Sequence, residues 1–256
     1  MGLRSLSPLR NNTTIARPRL FDRENLKISA VTTMKLFLYA MKFAAAVSCL
    51  SVPLIAQTSG GFTPASVTAV TGIPFPPNAT TTGAVTLLLS LDAGGKVQNV
   101  QILRDLPPFT AIAQSSINAW AFKPAYFGGN SVASALPITV VFSPFNPAGT
   151  QLVPLSVSPL QPASPVGAAQ YAPPQITSAS YPLYPPNTLA TGTVVLEVTI
   201  GLSGQVSKIH TVRSVPDLTQ SAINAVKSWS YNPGTANGNH SASKMVVAFV
   251  FQRNLS

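Results

Sequence analysis

The chain carries one segment twice. Shifting the sequence by 109 positions aligns residues 64–142 with residues 173–251 without a gap, and more than a quarter of the paired positions are identical. Among them are Pro76-Pro77-Asn78 with Pro185-Pro186-Asn187, Gly83 with Gly192, Gly95 with Gly204, Arg104 with Arg213, Trp120 with Trp229 and Pro124 with Pro233. An ungapped match of this length implies duplication of a folding unit, so whatever the unit folds into, the chain must accommodate it twice. Each unit is small. It buries only about 60% of the surface its unfolded chain exposes, and an isolated copy is expected to be marginally stable.

Periodicity predicts the unit. Val194, Leu196, Val198 and Ile200 alternate with Thr193, Val195, Glu197 and Thr199, the pattern of a strand with one buried face. Val85, Leu87, Leu89 and Leu91 repeat it in copy 1. Glycine-containing turns, Asp92 to Gly95 and Gly201 to Gly204, lead into second β-rich runs, Val97 to Arg104 and Val206 to Arg213, which read as hairpins. Ala113, Ile117 and Trp120, like Ala222, Val226 and Trp229, then fall at i, i+4 and i+7 on one helix face, with Thr110 or Thr219 as candidate N-cap. Pro124 and Pro233 stop the helix. The turn pair Asn237-Gly238 precedes a closing strand, Met245 to Phe251, whose counterpart is Leu136 to Phe142. The expected fold class is α+β: two tandem small domains, each a three-stranded antiparallel sheet with one packed helix, in the order strand-strand-helix-strand. Trp120 and Trp229 read as the largest core pieces, holding helix to sheet.

Residues 143–179, with eight prolines and no charge, read as a semi-rigid linker in which Val153 to Val157 has strand potential. At the other end, residues 1–33 read as an extension without structure of its own. Residues 34–56 read as an export segment, because Phe43 to Ile55 is an apolar run of signal-peptide length ahead of a small-residue cleavage site at Leu54-Ile55-Ala56. The alternative is an uncleaved anchor from Leu36 to Ala56, at the cost of holding Lys42 in the bilayer. The protein is therefore expected to be exported to the periplasm, or anchored in the inner membrane if the segment is kept. Cys49, the only cysteine, excludes an internal disulfide framework and sits in a sequence weakly like a lipoprotein box.

The formal charge of +10 suggests nucleic acid until it is placed along the chain. Eight of the 16 Lys and Arg fall within residues 1–42 and the remaining eight are scattered singly, so no basic stripe tracks a phosphate backbone and no nucleic-acid partner is expected. Catalysis is not expected either. His210 and His240 are the only side chains poised to act as bases near neutral pH. His210 replaces Gln101 of the other copy, and His240 follows a turn. No nucleophile elbow, phosphate loop or metal-ligand spacing accompanies them, so neither a metal nor a cofactor is expected.

The series Tyr181-Pro182, Gly192-Thr193-Val194, Gly204-Gln205-Val206, Arg213-Ser214, Leu218, Ala222, Trp229-Ser230-Tyr231-Asn232-Pro233, Asn237-Gly238 and Phe251 resembles the C-terminal domain of the TonB family. Copy 1 resembles it through Gly83, Val85, Gly95, Val97, Arg104, Trp120-Ala121-Phe122-Lys123-Pro124, Gly129 and Phe142, but has Gly72-Ile73-Pro74 where the opening Tyr-Pro would stand. The resemblance implies a periplasmic link between an inner-membrane motor and outer-membrane receptors, whose domain captures an extended receptor peptide alongside its last strand. On that basis Met245, Val246, Val247, Ala248, Phe249, Val250 and Phe251 are the expected peptide-binding edge, supported by Tyr181 and Pro182. An uncharged edge strand needs a pairing partner, and Pro137 blunts the matching strand of copy 1. Outer-membrane receptor peptides are the expected partners, with inner-membrane motor proteins added if the chain is anchored. The alternative is an exported scaffold or binding module without energy transduction, whose two copies pair edge to edge and so consume that strand.

Overall fold

The computed structural model describes residues 61–76, 79, 82–143, 154–155 and 167–253. The extension, the export segment with Cys49 and most of the expected linker lie outside the described residues. Among the described residues no helix is long and apolar enough to cross a membrane.

Copy 1 runs β1 (Ser66–Ala69), β2 (Gly83–Leu91), β3 (Val97–Arg104), α1 (Phe109–Ile117), β4 (Ala121–Lys123), β5 (Ala125–Phe127), β6 (Asn130–Val132) and β7 (Ser134–Ser143). After a two-residue strand β8 (Pro154–Leu155), copy 2 repeats the order as β9 (Gln175–Ser180), β10 (Gly192–Ile200), β11 (Val206–Arg213), α2 (Thr219–Ser228), β12 (Ser230–Asn232), β13 (Gly234–Ala236), β14 (Asn239–Ser241) and β15 (Ser243–Phe251). The fold is α+β, with far more strand than helix. The short hairpin β13–β14 turns at Asn237 and Gly238, with φ of 49° and 78°, the positive values that this residue pair tolerates.

The two copies do not form separate sheets. Six strands make one sheet in the order β11-β10-β15-β7-β2-β3, so each copy supplies three antiparallel strands and the copies join at β15 and β7. That joint is parallel, Val246 opposite Ile138 through Phe251 opposite Ser143. It begins at Ile138, one residue after Pro137, which has no N–H to give a neighbour.

A parallel joint between equivalent strands turns one copy over relative to the other. Neighbouring residues of a strand face opposite sides, and the two cores divide accordingly. Val85, Leu87, Leu89 and Leu91 pack with Phe109, Ala113, Ile117 and Trp120, while Val194, Leu196, Val198 and Ile200 pack with Leu218, Ala222, Val226 and Trp229. Val195, Val246, Ala248 and Val250 of copy 2 belong to the first group, and Ala84 and Val141 of copy 1 to the second. Each core therefore continues beneath the other copy's strands, on the opposite face of one sheet.

Two expectations are corrected here. β10 does not have one exposed face: Thr193, Val195 and Glu197 are buried as well. β1 and the chain leading from it to β2 cover them. Thr193 Oγ1 accepts from the Ile73 N–H and donates to the Ile73 carbonyl, both at 2.9 Å, and the Val67 N–H donates to Glu197 Oε2 at 3.0 Å. Thr110 and Thr219 are not N-caps. They lie within the first helical turn, and their hydroxyls accept from the amides of Leu106 and Val215, four residues earlier.

Candidate functional site

Met245 to Phe251 is not a free edge. Within β15 it pairs antiparallel with β10 along its whole length and parallel with β7 from Val246 onward. No residue from Met245 to Phe251 is more than 2% exposed. A peptide could add to this strand only by displacing β7, because both rows of its backbone groups are already engaged. The signal was in the composition of the strand. Met-Val-Val-Ala-Phe-Val-Phe is apolar without alternation, which is how a strand buried on both faces reads, whereas an edge strand of a half-exposed sheet alternates.

The supporting pair sits elsewhere. Tyr181 is half-buried against the copy 2 core and hydrogen-bonds Thr82, just ahead of β2 of the other copy; burial raises its hydroxyl pKa above the usual value. Pro182 is buried. Tyr181 therefore belongs to the join between the copies, and neither residue lies on β15.

The strands left at the two ends of the sheet are β3 and β11. Beside β3 an open groove of about 650 Å³ is lined by the β2–β3 turn, the first half of β3 and the chain leaving α1, with Trp120 and Phe122 as its aromatic residues. Gly95 holds the turn close to this chain. Its φ is +82°, and a Cβ there would lie 2.6 Å from the Phe122 carbonyl oxygen; Gly204 makes the same approach to the Tyr231 carbonyl. The turn is further ordered by Asp92, whose Oδ1 accepts from the N–H of Gly94 and of Lys96 and whose Oδ2 accepts from Gln98 Nε2. The Lys96 amide, with those of Gly94 and the Gln98 side chain, holds this carboxyl below the usual carboxylate range.

Trp120 and Trp229 are both buried, at 6% and 5% exposure, but their indoles differ. Trp229 Nε1 donates to the Ser180 carbonyl of β9 at 2.9 Å. Trp120 Nε1 is buried with no hydrogen-bond partner. The neighbouring aromatic differs too. Tyr231 donates its hydroxyl to the Val226 carbonyl at 3.2 Å, and Phe122, its counterpart, has no hydroxyl to give. Aligning the copies exposes that substitution, yet the orphaned indole itself depends on where the backbone runs.

Glu197 was missed as well. It is 6% exposed, salt-bridged to Lys244 at 2.7 Å, and accepts from the Val67 amide. A lone acid inside an otherwise uncharged strand was the available signal, since a buried charge requires partners. The histidines have structural placements: His240 Nδ1 lies 2.9 Å from the Leu202 carbonyl, and His210 is exposed on β11. Among the described residues no group of three or more His, Cys, Asp or Glu could hold a metal ion.

The Gram-negative bacterial TonB protein C-terminal family matches residues 72–144 and 179–252, one match for each copy. The chain belongs to this family. The two matches cover more than half the chain and end at β7 and β15, the strands that meet in the middle of the sheet. TonB C-terminal domains are non-enzymatic and transport-associated, which gives the chain a TonB-like role in the cell envelope. No curated protein and no solved structure matches the chain.

Proposed function

We propose that this chain is an exported, TonB-type binding module of the cell envelope that recognises extended segments of partner proteins without transducing energy. Its two copies are held together through the strands that the family offers to receptor peptides. One observation carries the reading: β15 lies between β10 and β7, parallel to its own counterpart and fully buried. A transducer working through receptor peptides at Met245 to Phe251 would have to open this joint, exposing two apolar strand edges each time.

Locking the joint tests this. Thr139 and Val247 are partners across it, and cysteines at both positions stand within the separation that a disulfide spans. The locked protein is expected to bind envelope partners as the reduced form does. Loss of partner binding on oxidation, restored by reduction, would instead support the reading in which β7 is displaced and β15 receives an outer-membrane receptor peptide for energy-coupled transport.

A further inference from the structure

We propose that the face of β11 beside β1 is a cationic ledge, which takes an acidic segment of a partner protein through the side chains of Lys208, His210 and Arg213. The proposal rests on reading the chain as a module for extended segments and names the chemistry that such a segment carries.

Register brings the three side chains together. Arg213 stands opposite Val195 of β10, His210 opposite Glu197 and Lys208 opposite Thr199, and residues opposite one another in an antiparallel pair share a face. It is the face that β1 lies on. Val195 packs in the first core with Val67 and Ile73, and Glu197 accepts from the Val67 amide. The Arg213 guanidinium gives a second fix, since a Cβ added to Gly72, in the chain leaving β1, would lie 3.4 Å from its Nη2. Val195 and Glu197 are buried there, whereas Lys208, His210 and Arg213 are exposed. Their partners on β10 are two residues apart, so the three side chains follow one another at roughly 6–7 Å, the spacing of alternate residues in an extended chain.

Among the described residues nothing neutralises this ledge. Glu197, the acid of β10, has both oxygens taken, Oε1 by Lys244 at 2.7 Å and Oε2 by the Val67 N–H. None of Lys208, His210 and Arg213 has a carboxylate within ion-pair distance among those residues. Nor does the fold demand the charge. Lys208 and His210 stand where copy 1 has Asn99 and Gln101, and only Arg213 has a basic counterpart, the partly buried Arg104. A lysine serving merely to guard an edge would be wanted at both ends of the sheet, yet β3 has no ionisable side chain from Val97 to Leu103. A carboxylate suits the site, because the guanidinium fork of Arg213 can hold both of its oxygens. β1 decides between a protein chain and a membrane. Layers packed face to face stand about 10 Å apart, so the ledge lies at the foot of a step that a flat bilayer spans and a single chain enters.

The probe is an acetylated, amidated heptapeptide of alternating threonine and glutamate, titrated into the full chain and followed by proton–nitrogen NMR; its control carries glutamine for glutamate. The acidic peptide is expected to shift the amides of Lys208 to Arg213, and the control to leave them in place. Lys208→Asn and His210→Gln install the residues that copy 1 carries, and with Arg213→Gln they are expected to weaken binding at least about fivefold together, as exposed ion pairs do. Lys227→Asn removes the same charge from α2, which packs on the opposite face, and is expected to change nothing. An equal loss for Lys227→Asn and Lys208→Asn would reduce the effect to net charge and overturn the ledge. Equal binding of both peptides with shifts away from β11 also overturns it and leaves the module reading standing. Ledge-dependent binding of phosphatidylglycerol vesicles without peptide binding assigns the surface to a membrane and overturns the proposal. Failure of both peptides at every surface overturns the module reading with it.

Discussion

The backbone N–H of Val67 donates to Glu197 Oε2 at 3.0 Å, tying β1 of copy 1 to the back of a strand in copy 2. Glu197 also holds Lys244 at 2.7 Å on β15, so one buried carboxylate links β1, β10 and β15. The two copies are thus joined by backbone pairing within the sheet and again by a polar contact behind it.

Removing that carboxylate is expected to be costly. Glu197→Ala leaves the Val67 amide and a 24%-exposed Lys244 without their acceptor, and loss of about 2–4 kcal/mol is expected in urea unfolding. Lys244→Ala should cost less, since Glu197 keeps the Val67 bond. A larger loss for Lys244→Ala than for Glu197→Ala would contradict the assignment.

The two indoles offer a controlled comparison. Trp229→Phe and Trp120→Phe remove the same volume from equivalent positions, but only the first breaks a hydrogen bond, the one to Ser180. Trp229→Phe is therefore expected to be more destabilising, by about 0.5–1.5 kcal/mol beyond the shared packing loss. Equal denaturation midpoints for the two variants would show that Trp120 is satisfied in solution.

Gly204→Ala combines a positive φ of +84° with a Cβ placed 2.4 Å from the Tyr231 carbonyl oxygen. Backbone strain alone is worth about 1–3 kcal/mol, and the clash adds to it. Gly238→Ala, with φ of +78° and nothing within 4 Å, should carry the strain without the clash. Thermal unfolding is expected to rank Gly204→Ala well below Gly238→Ala.

Alkaline pH should weaken the fold. Burial pushes the hydroxyls of Tyr171 and Tyr231 above the usual tyrosine value of about 10, so the folded protein keeps protons that the unfolded chain releases. Their contribution is present in full below pH 10 and falls as pH rises past it. Tyr231→Phe is expected to flatten that fall, although it loses the bond to the Val226 carbonyl at neutral pH. A stability profile between pH 9 and 11 that is the same with and without Tyr231 would refute the assignment.

The sequence by itself determined the duplication, the hairpin and helix of each unit, the proline that ends each tryptophan segment, and the family. These depend on local patterns: period two in β2 and β10, period 3.6 in α1 and α2, and positive-φ residues at the turns. Only the tertiary structure decided which strand edges stay open. Backbone donors and acceptors on a strand edge are the same whatever the side chains are, so Met245 to Phe251 can pair with a receptor peptide or with β7 by the same hydrogen bonds. The unbroken apolar run in β15 hinted at burial on both faces, but the choice of β7, and the inversion of one copy that follows, required both cores and the Val67–Glu197 contact to form together. The same long-range packing left Trp120 without the carbonyl that Trp229 has, a difference between two identical residues in matching sequence positions.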